Sequence, residues 1–228
     1  MTAEEQFSQI ASLIGEPARA NMLWNLLDGR AFTATELALM ASVSPQSASM
    51  HLKRLVEAGL LSVRHQGRHR YYSLAGPEVA YAVEAIANLL PAGKKDPEAP
   101  HPVNGHIRYC RTCYDHLAGK IGVAVTEGLI NRRLIVAASS QYEIPKDSVK
   151  WWSQQGIDTA ALKDQRRIFA RQCLDWSERR HHLAGALGAA ILEKMLAGDW
   201  IRRTRNSRTV IVTAKGEKKL HELLALVL

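Results

Sequence analysis

The sequence predicts a mainly α-helical chain with small β-hairpins. Its first part is a helix-turn-helix followed by a hairpin, and its second part is two winged-helix-like repeats. Three observations predict this. Two helix starts, at Thr33 and Ser44, precede a glycine stop at Gly59 and a basic stretch of alternating character. Pro91, Pro97, Pro100 and Pro102 then break all periodicity. Beyond them, HLAGKIGVAVTE (His116 to Glu127) aligns with HLAGALGAAILE (His182 to Glu193), with 7 identities in 12 positions.

Taken in order, the elements begin with a helix near residues 4 to 14. Thr33 followed by Glu36 is a capping box, and Ser44 before Pro45 caps and starts the next helix. In that helix Ala48, Leu52, Leu55 and Val56 share an apolar face, leaving Gln46, Met50, Lys53 and Arg54 on the other. Leu61 to His65 and Arg68 to Leu74 form two strands around Gln66-Gly67, a wing. A helix over 76 to 90 carries the stripe Val79, Val83, Ile86 and Leu90, suited to core packing and to subunit pairing alike.

The domains are thus expected at 1–90 and 106–228, joined by a Pro-rich linker over 91–105. Each repeat, about 116–158 and 182–226, runs through a helix into a hairpin and a second helix. The hairpins are Leu134 to Ile144 and Trp200 to Thr213; the closing helices are Asp147 to Gln155 and Ala214 to Leu226. Gly119, Gly122, Gly185 and Gly188 put small residues where a groove-reading helix would present polar ones. The repeats are therefore expected to pack on each other.

With 228 residues, 46% hydrophobic content and no long apolar run, the chain reads as a cytoplasmic protein without a membrane partner. Three cysteines are too few for a secreted disulfide framework. The net charge of +8 suits nucleic acid, yet residues 1–90 hold 7 Lys/Arg against 8 Asp/Glu, a net of −1. The basic signal is local instead. Between residues 45 and 74, Lys53, Arg54, Arg64, Arg68 and Arg70 face only Glu57.

Two helices and a basic hairpin in this order suit the reading of double-stranded DNA. Pro45, Gln46, Ser47, Ser49 and Met50 at the helix start are placed to approach bases, with Lys53 and Arg54 on phosphates. Arg64, Arg68 and Arg70 of the wing are placed for phosphates or a minor groove. The segment resembles the winged helix-turn-helix of the ArsR/SmtB family of bacterial repressors over roughly residues 5 to 90. The residues that carry the likeness are GEPARANMLWNLLDG (15 to 29), T-x-x-E-L (Thr33 to Leu37), S-x-H-L-x-x-L (Ser49 to Leu55) and G-R-x-x-x-Y (Gly67 to Tyr72). The resemblance implies a homodimer that represses from an operator and leaves it when an inducer binds.

The family's own inducer sites are missing from this sequence. Glu36 to Ala41 and Lys53 to Gly59 contain no cysteine, and residues 78 to 90 offer only Glu78 and Glu84. Inducer chemistry has therefore moved into the second half or is absent; that half holds Cys110, Cys113, Asp115 and His116 before one repeat helix and Cys173, Asp175 and His182 before the other. Three readings stand. The cluster binds zinc or a soft heavy-metal ion, since thiolate and imidazole suit such metals. It is a thiol switch, with Arg108, Arg111 and a helix start lowering thiol pKa values. Or it is structural, as buried cysteine commonly is.

A fourth reading is a small-molecule cavity built from Tyr109, Tyr114, Trp151, Trp152 and Trp176. No phosphate loop, nucleophile elbow or strand-helix alternation supports an enzyme. The later basic hairpin with Arg202, Arg203, Arg205 and Arg208 is expected to be solvated surface.

Overall fold

The computed structural model describes residues 1–90 and 105–228, so the linker expectation lies, apart from Gly105, outside the described residues. The chain divides into two compact units, Met1–Ile86 and Ala87–Leu228.

The first unit runs α1 (Ala3–Gly15), α2 (Pro17–Asn25), β1 (Phe32–Thr33), α3 (Ala34–Met40), α4 (Pro45–Glu57), β2 (Leu61–Gln66), β3 (His69–Leu74) and α5 (Pro77–Ala87), which crosses the boundary by one residue. The Thr33 hydroxyl accepts from Glu36 N while Glu36 reaches back to Thr33 N, the reciprocal cap that the sequence announces. Ser44 accepts from Ser47 N, and Pro45 opens α4. Leu23, Leu26, Leu37, Leu52 and Leu55 form the core between these helices. Arg19, almost buried, donates to the Leu13 and Ser12 carbonyls at the end of α1 and contacts His51 Nδ1 at 3.2 Å. It therefore ties α1 and α2 to the helix that carries the exposed Gln46 and Met50.

Two expectations need correction here. The wing turns at Gly67-Arg68, one residue later than the sequence suggests, because Gln66 still pairs with His69 and only Gly67 takes φ +57°. α5 ends at Ala87, short of the predicted 90; Val83 and Ala80 are buried within it, whereas Ile86 is 46% exposed and Leu90, past its end, 60% exposed, so the predicted stripe splits between core and surface.

From residue 105 the second unit runs through α6 (Gly105–Tyr109) and then repeats one plan twice. The first copy is β4 (Arg111–Cys113), β5 (His116–Ala118), α7 (Gly119–Asn131), β6 (Val136–Ala138), β7 (Gln141–Glu143) and α8 (Val149–Gln154), followed by the short α9 (Thr159–Lys163). The second is β8 (Arg171–Leu174), β9 (His181–Ala184), α10 (Gly185–Ala197), β10 (Ile201–Arg203), β11 (Val210–Val212) and α11 (Ala214–Leu224). Each repeat therefore starts with a hairpin, and boundaries at His116 and His182 cut that hairpin in two.

The copies interlock. The later hairpin of the first copy pairs with β8 of the second through Gln141 and Arg171. The later hairpin of the second meets β4 of the first through Arg111 and Thr209. Among the described residues, no helix is long and apolar enough to cross a membrane.

The glycines divide between two tasks. Gly119 and Gly185 take φ +76° and +83° at the turn from strand into helix. A Cβ on Gly122 would lie 2.5 Å from the Leu117 carbonyl and 3.8 Å from His182 Cβ. One on Gly188 would lie 2.5 Å from the Leu183 carbonyl and 3.2 Å from His116 Cβ. Each helix thus comes down onto its own hairpin and onto the histidine of the other copy.

Candidate functional site

Two candidate sites emerge, one in each unit. In the first, Pro45, Gln46, Ser49, Met50, Lys53 and Arg54 are exposed along one side of α4, opposite buried Ala48, Leu52 and Leu55, and Ser47 is partly buried. The Ser49 hydroxyl donates back to the Pro45 carbonyl at 2.9 Å, and Lys53 lies 3.8 Å from Glu57. Arg64, Arg68 and Arg70 are exposed on the wing. Strand pairing sets Arg64 opposite Tyr71 and Arg70 opposite His65, so the pleat sends Arg64 and Arg70 to opposite faces, with Arg68 at the tip. This is a polar helix face beside a cationic hairpin.

In the second unit the hairpins build the site. Cys113 pairs directly with His116 across the Tyr114-Asp115 turn, and Cys173 pairs directly with His182. Directly opposed residues share a sheet face, so each hairpin offers one thiol and one imidazole on the same side. The interlocked repeats bring the two faces together. Ligand atoms of Cys113, His116, Cys173 and His182 all lie within 4.8 Å of one another, and all four residues are buried. The two Nε2 atoms are 3.1 Å apart.

Asp115 and Asp175 stand outside this group, behind the imidazoles. Asp115 Oδ1 is 3.3 Å from His116 Nδ1, and its other oxygen accepts from Arg167 at 2.6 Å. Asp175 Oδ2 is 3.4 Å from His182 Nδ1, a contact too poorly aligned to count as a hydrogen bond. Asp175 is completely buried and accepts from Arg111 Nη2, Gly119 N, the Ser177 N–H and hydroxyl, and Glu178 N. The hydrogen bond with His116, and then Arg167, hold the Asp115 carboxyl well below the usual carboxylate range. Burial alone would raise Asp175, but His182 and Arg111 hold it low as well. For His182, burial opposes the charged form, yet Asp175 and Cys113 push its pKa above the ordinary value.

Cys110 is also left out of the group. It follows the end of α6 rather than opening a helix, and burial pushes its thiol up to about 12. Its neighbour Arg111 is committed to Asp175 at 3.0 Å. The expectation of an activated Cys110 thiol fails on both counts. Among the described residues none of the three cysteines is in a disulfide.

The five aromatics do not converge either. Trp151 and Trp152 meet edge to face and line an apolar cavity with Trp200. Trp176 lies beneath the Arg108 and Arg111 guanidiniums, while Tyr109 and Tyr114 are 37% and 56% exposed. In the later basic hairpin, Arg202 pairs with Asp199, and Arg208 donates to the Thr112 carbonyl beside Cys113.

What sequence reasoning missed is the position of the two aspartates, expected among the converging donors and found outside them, beside the imidazole Nδ1 atoms. The signal was present in the two-residue gap of Cys113-Tyr114-Asp115-His116, which fits a tight hairpin turn.

Comparison with known proteins agrees with the first site. A helix-turn-helix domain family matches residues 14–64. The chain is 40% identical over 210 residues to YdfF of Bacillus subtilis (strain 168), an uncharacterized HTH-type transcriptional regulator, covering 92% of this chain and 93% of that protein. Among solved structures, a homodimeric winged helix-turn-helix DNA-binding domain from Mycobacterium bovis is 24% identical, with a TM-score of 0.34, covering 36% of this chain and 76% of that one. The transcriptional repressor BigR from Xylella fastidiosa is 22% identical, with a TM-score of 0.36, covering 41% of this chain and all 100% of that one.

Proposed function

Because the chain belongs to the helix-turn-helix transcriptional regulators, we propose that it is a homodimeric repressor that binds one operator and releases it when an inducer reaches the second unit. The observation that carries DNA reading is the exposed Gln46, Ser49 and Met50 at the start of α4, flanked by Lys53, Arg54 and the wing arginines. A helix presented by its N-terminal turn enters a major groove, and cations beside it neutralise phosphates. Pairing is supported by α1, which buries none of its residues and exposes Phe7 at 74% and Ile10 at 40%. Tyr81 and Ile86 of α5 are exposed at 40% and 46%. A second copy of the chain covers these apolar groups and sets two α4 helices on one face of DNA.

The four-donor cluster favours one reading of the inducer, a metal ion. A thiol switch needs two sulfurs only, and would leave the convergence of two Nε2 atoms without a purpose. A tight site formed by closing two hairpins couples binding to conformation, provided the ion prefers one conformation of the regulator.

The test is an operator-shift assay with selected binding sites. Gln46→Ala or Ser49→Ala should each weaken specific binding by about 1–3 kcal/mol per lost base contact while leaving nonspecific affinity in place. Unchanged selectivity in both variants removes α4 as the reading helix. Release of wild-type protein by zinc or cadmium, and by neither in Cys113→Ser, would support the metal reading.

A further inference from the structure

We infer that Cys113, His116, Cys173 and His182 hold one divalent ion of the zinc class in tetrahedral coordination, and that Asp115 and Asp175 are positioning residues for the two histidines. This rests on the metal-responsive reading above and assigns its ion and its supporting groups.

Geometry comes first. Two neutral imidazole nitrogens cannot face each other at 3.1 Å with both lone pairs bare, so a proton or a cation belongs between them. In a tetrahedron with metal–nitrogen bonds of about 2.0 Å, the nitrogens would stand about 3.3 Å apart. The observed spacing already matches that edge. Other donor separations within 4.8 Å need only small closing movements by the hairpin tips.

Charge and donor type select the ion. Two thiolates and two neutral imidazoles neutralise a dication, which suits a site with all four residues buried. Calcium and magnesium need six or more oxygen donors, and this group contains none. Four nitrogen and sulfur donors in a closed site suit zinc, cobalt(II) or cadmium.

The aspartates complete the assignment. A carboxylate at Nδ1 favours the tautomer with Nδ1–H, which leaves the Nε2 lone pair for the metal. His116 has such a carboxylate hydrogen-bonded at 3.3 Å, that of Asp115, and the Asp175 carboxylate stands 3.4 Å from His182 Nδ1 without the alignment of a hydrogen bond. Each carboxylate is in turn held by a guanidinium, of Arg167 and of Arg111. The same order of arginine, carboxylate and imidazole occurs in both copies, with different arginines, and the carboxylate–imidazole hydrogen bond is formed in the first copy. The copies are unequal, since Asp175 is fully buried and also binds the start of α7, whereas the Asp115 side chain is 31% exposed.

The experiment uses the full reduced chain. Zinc stoichiometry and competition with a chromophoric chelator measure binding, the cobalt(II) spectrum and X-ray absorption report the donors, and nitrogen NMR of the histidines reports the tautomer. One ion per chain with two sulfurs and two nitrogens is expected, and Cys110→Ser should keep it. Asp115→Asn should weaken zinc about 10- to 100-fold. It should keep the two-sulfur, two-nitrogen cobalt spectrum while shifting the His116 tautomer, and Asp115→Glu should recover much of the affinity.

Asp175→Asn should act similarly, but that variant also loses the hold on Gly119 N, so Asp115 decides the point. Failure of the wild-type chain to take up zinc or cobalt overturns the metal reading itself. Oxygen among the donors, or full affinity and an unchanged tautomer in Asp115→Asn, overturns the positioning role while leaving a metal site.

Discussion

His116 Nε2 lies 3.1 Å from His182 Nε2, although 66 residues of chain separate them. Each imidazole is presented by a hairpin that also offers a cysteine on the same face. The Cβ of each is closely approached by a glycine of the other repeat's helix, His116 by Gly188 and His182 by Gly122. The meeting of the two rings is thus a product of the interlocked repeats and not of either copy alone.

Zinc should stabilise the second unit because it binds only the assembled hairpins. At free zinc about 100 times the dissociation constant, linkage adds about 2.7 kcal/mol. Thermal unfolding of the full chain with and without zinc measures this. Cys113→Ser and Cys173→Ser should abolish the zinc-dependent rise, and Cys110→Ser should preserve it even while its buried site lowers the baseline. A rise that survives both Cys113→Ser and Cys173→Ser would place the stabilising ion elsewhere.

Gly188→Ala should damage fold and cluster together. Its Cβ would meet the Leu183 carbonyl at 2.5 Å and His116 Cβ at 3.2 Å, and neither is the flexible end of a side chain. Overpacking of this kind costs about 1–3 kcal/mol, read as a lower unfolding midpoint in denaturant. Gly15→Ala, where nothing lies within 4 Å, is the control and should be neutral or mildly stabilising. If Gly188→Ala matches that control, close approach is not why the residue is glycine.

The sequence made the first unit readable because its signals are local. Thr33 with Glu36, Ser44 with Pro45, and Gly59 each act within a few residues, and the structure repeats them; the departures are one residue at the wing turn and the split stripe of α5. The repeat could be seen for the same reason. What stayed hidden depends on long-range packing. Nothing local shows that Asp175 accepts from Arg111 and Gly119, 64 and 56 residues away, or that Cys110 points into the core instead of toward Cys113. Those facts follow from how one copy's hairpin meets the other copy's helix.

On the wing, the three arginines should act unequally. Neutralising Arg68 at the tip should reduce the slope of log affinity against log salt by about one unit if it contacts a phosphate. Arg64→Gln and Arg70→Gln should differ from each other, because the strand pleat places them on opposite faces of the hairpin. Salt titrations of operator binding for the three variants decide this. Equal losses at all three positions would mean that the arginines act through their general field and not through placed contacts.

The last prediction concerns how the cluster communicates. Arg179, in the turn of the β8–β9 hairpin at φ +57°, donates to the carbonyls of Asn88 at 3.1 Å and Leu90 at 2.8 Å. Asn88 in return donates to the Leu174 carbonyl at 3.0 Å, next to Cys173. All of these residues belong to the second unit, and Asn88 directly follows the end of α5 in the chain. If the proposed ion closes this hairpin, these hydrogen bonds would carry the movement to Asn88. Arg179→Ala should leave zinc affinity and operator affinity each close to wild type, because the residue touches neither the four donors nor the α4 face. The effect of zinc on operator affinity should shrink, since coupling is a free energy separate from either binding event. Operator titrations at zero and saturating zinc measure the ratio directly. A ratio identical to wild type in Arg179→Ala, with zinc still bound, would show that the signal leaves the cluster by another route.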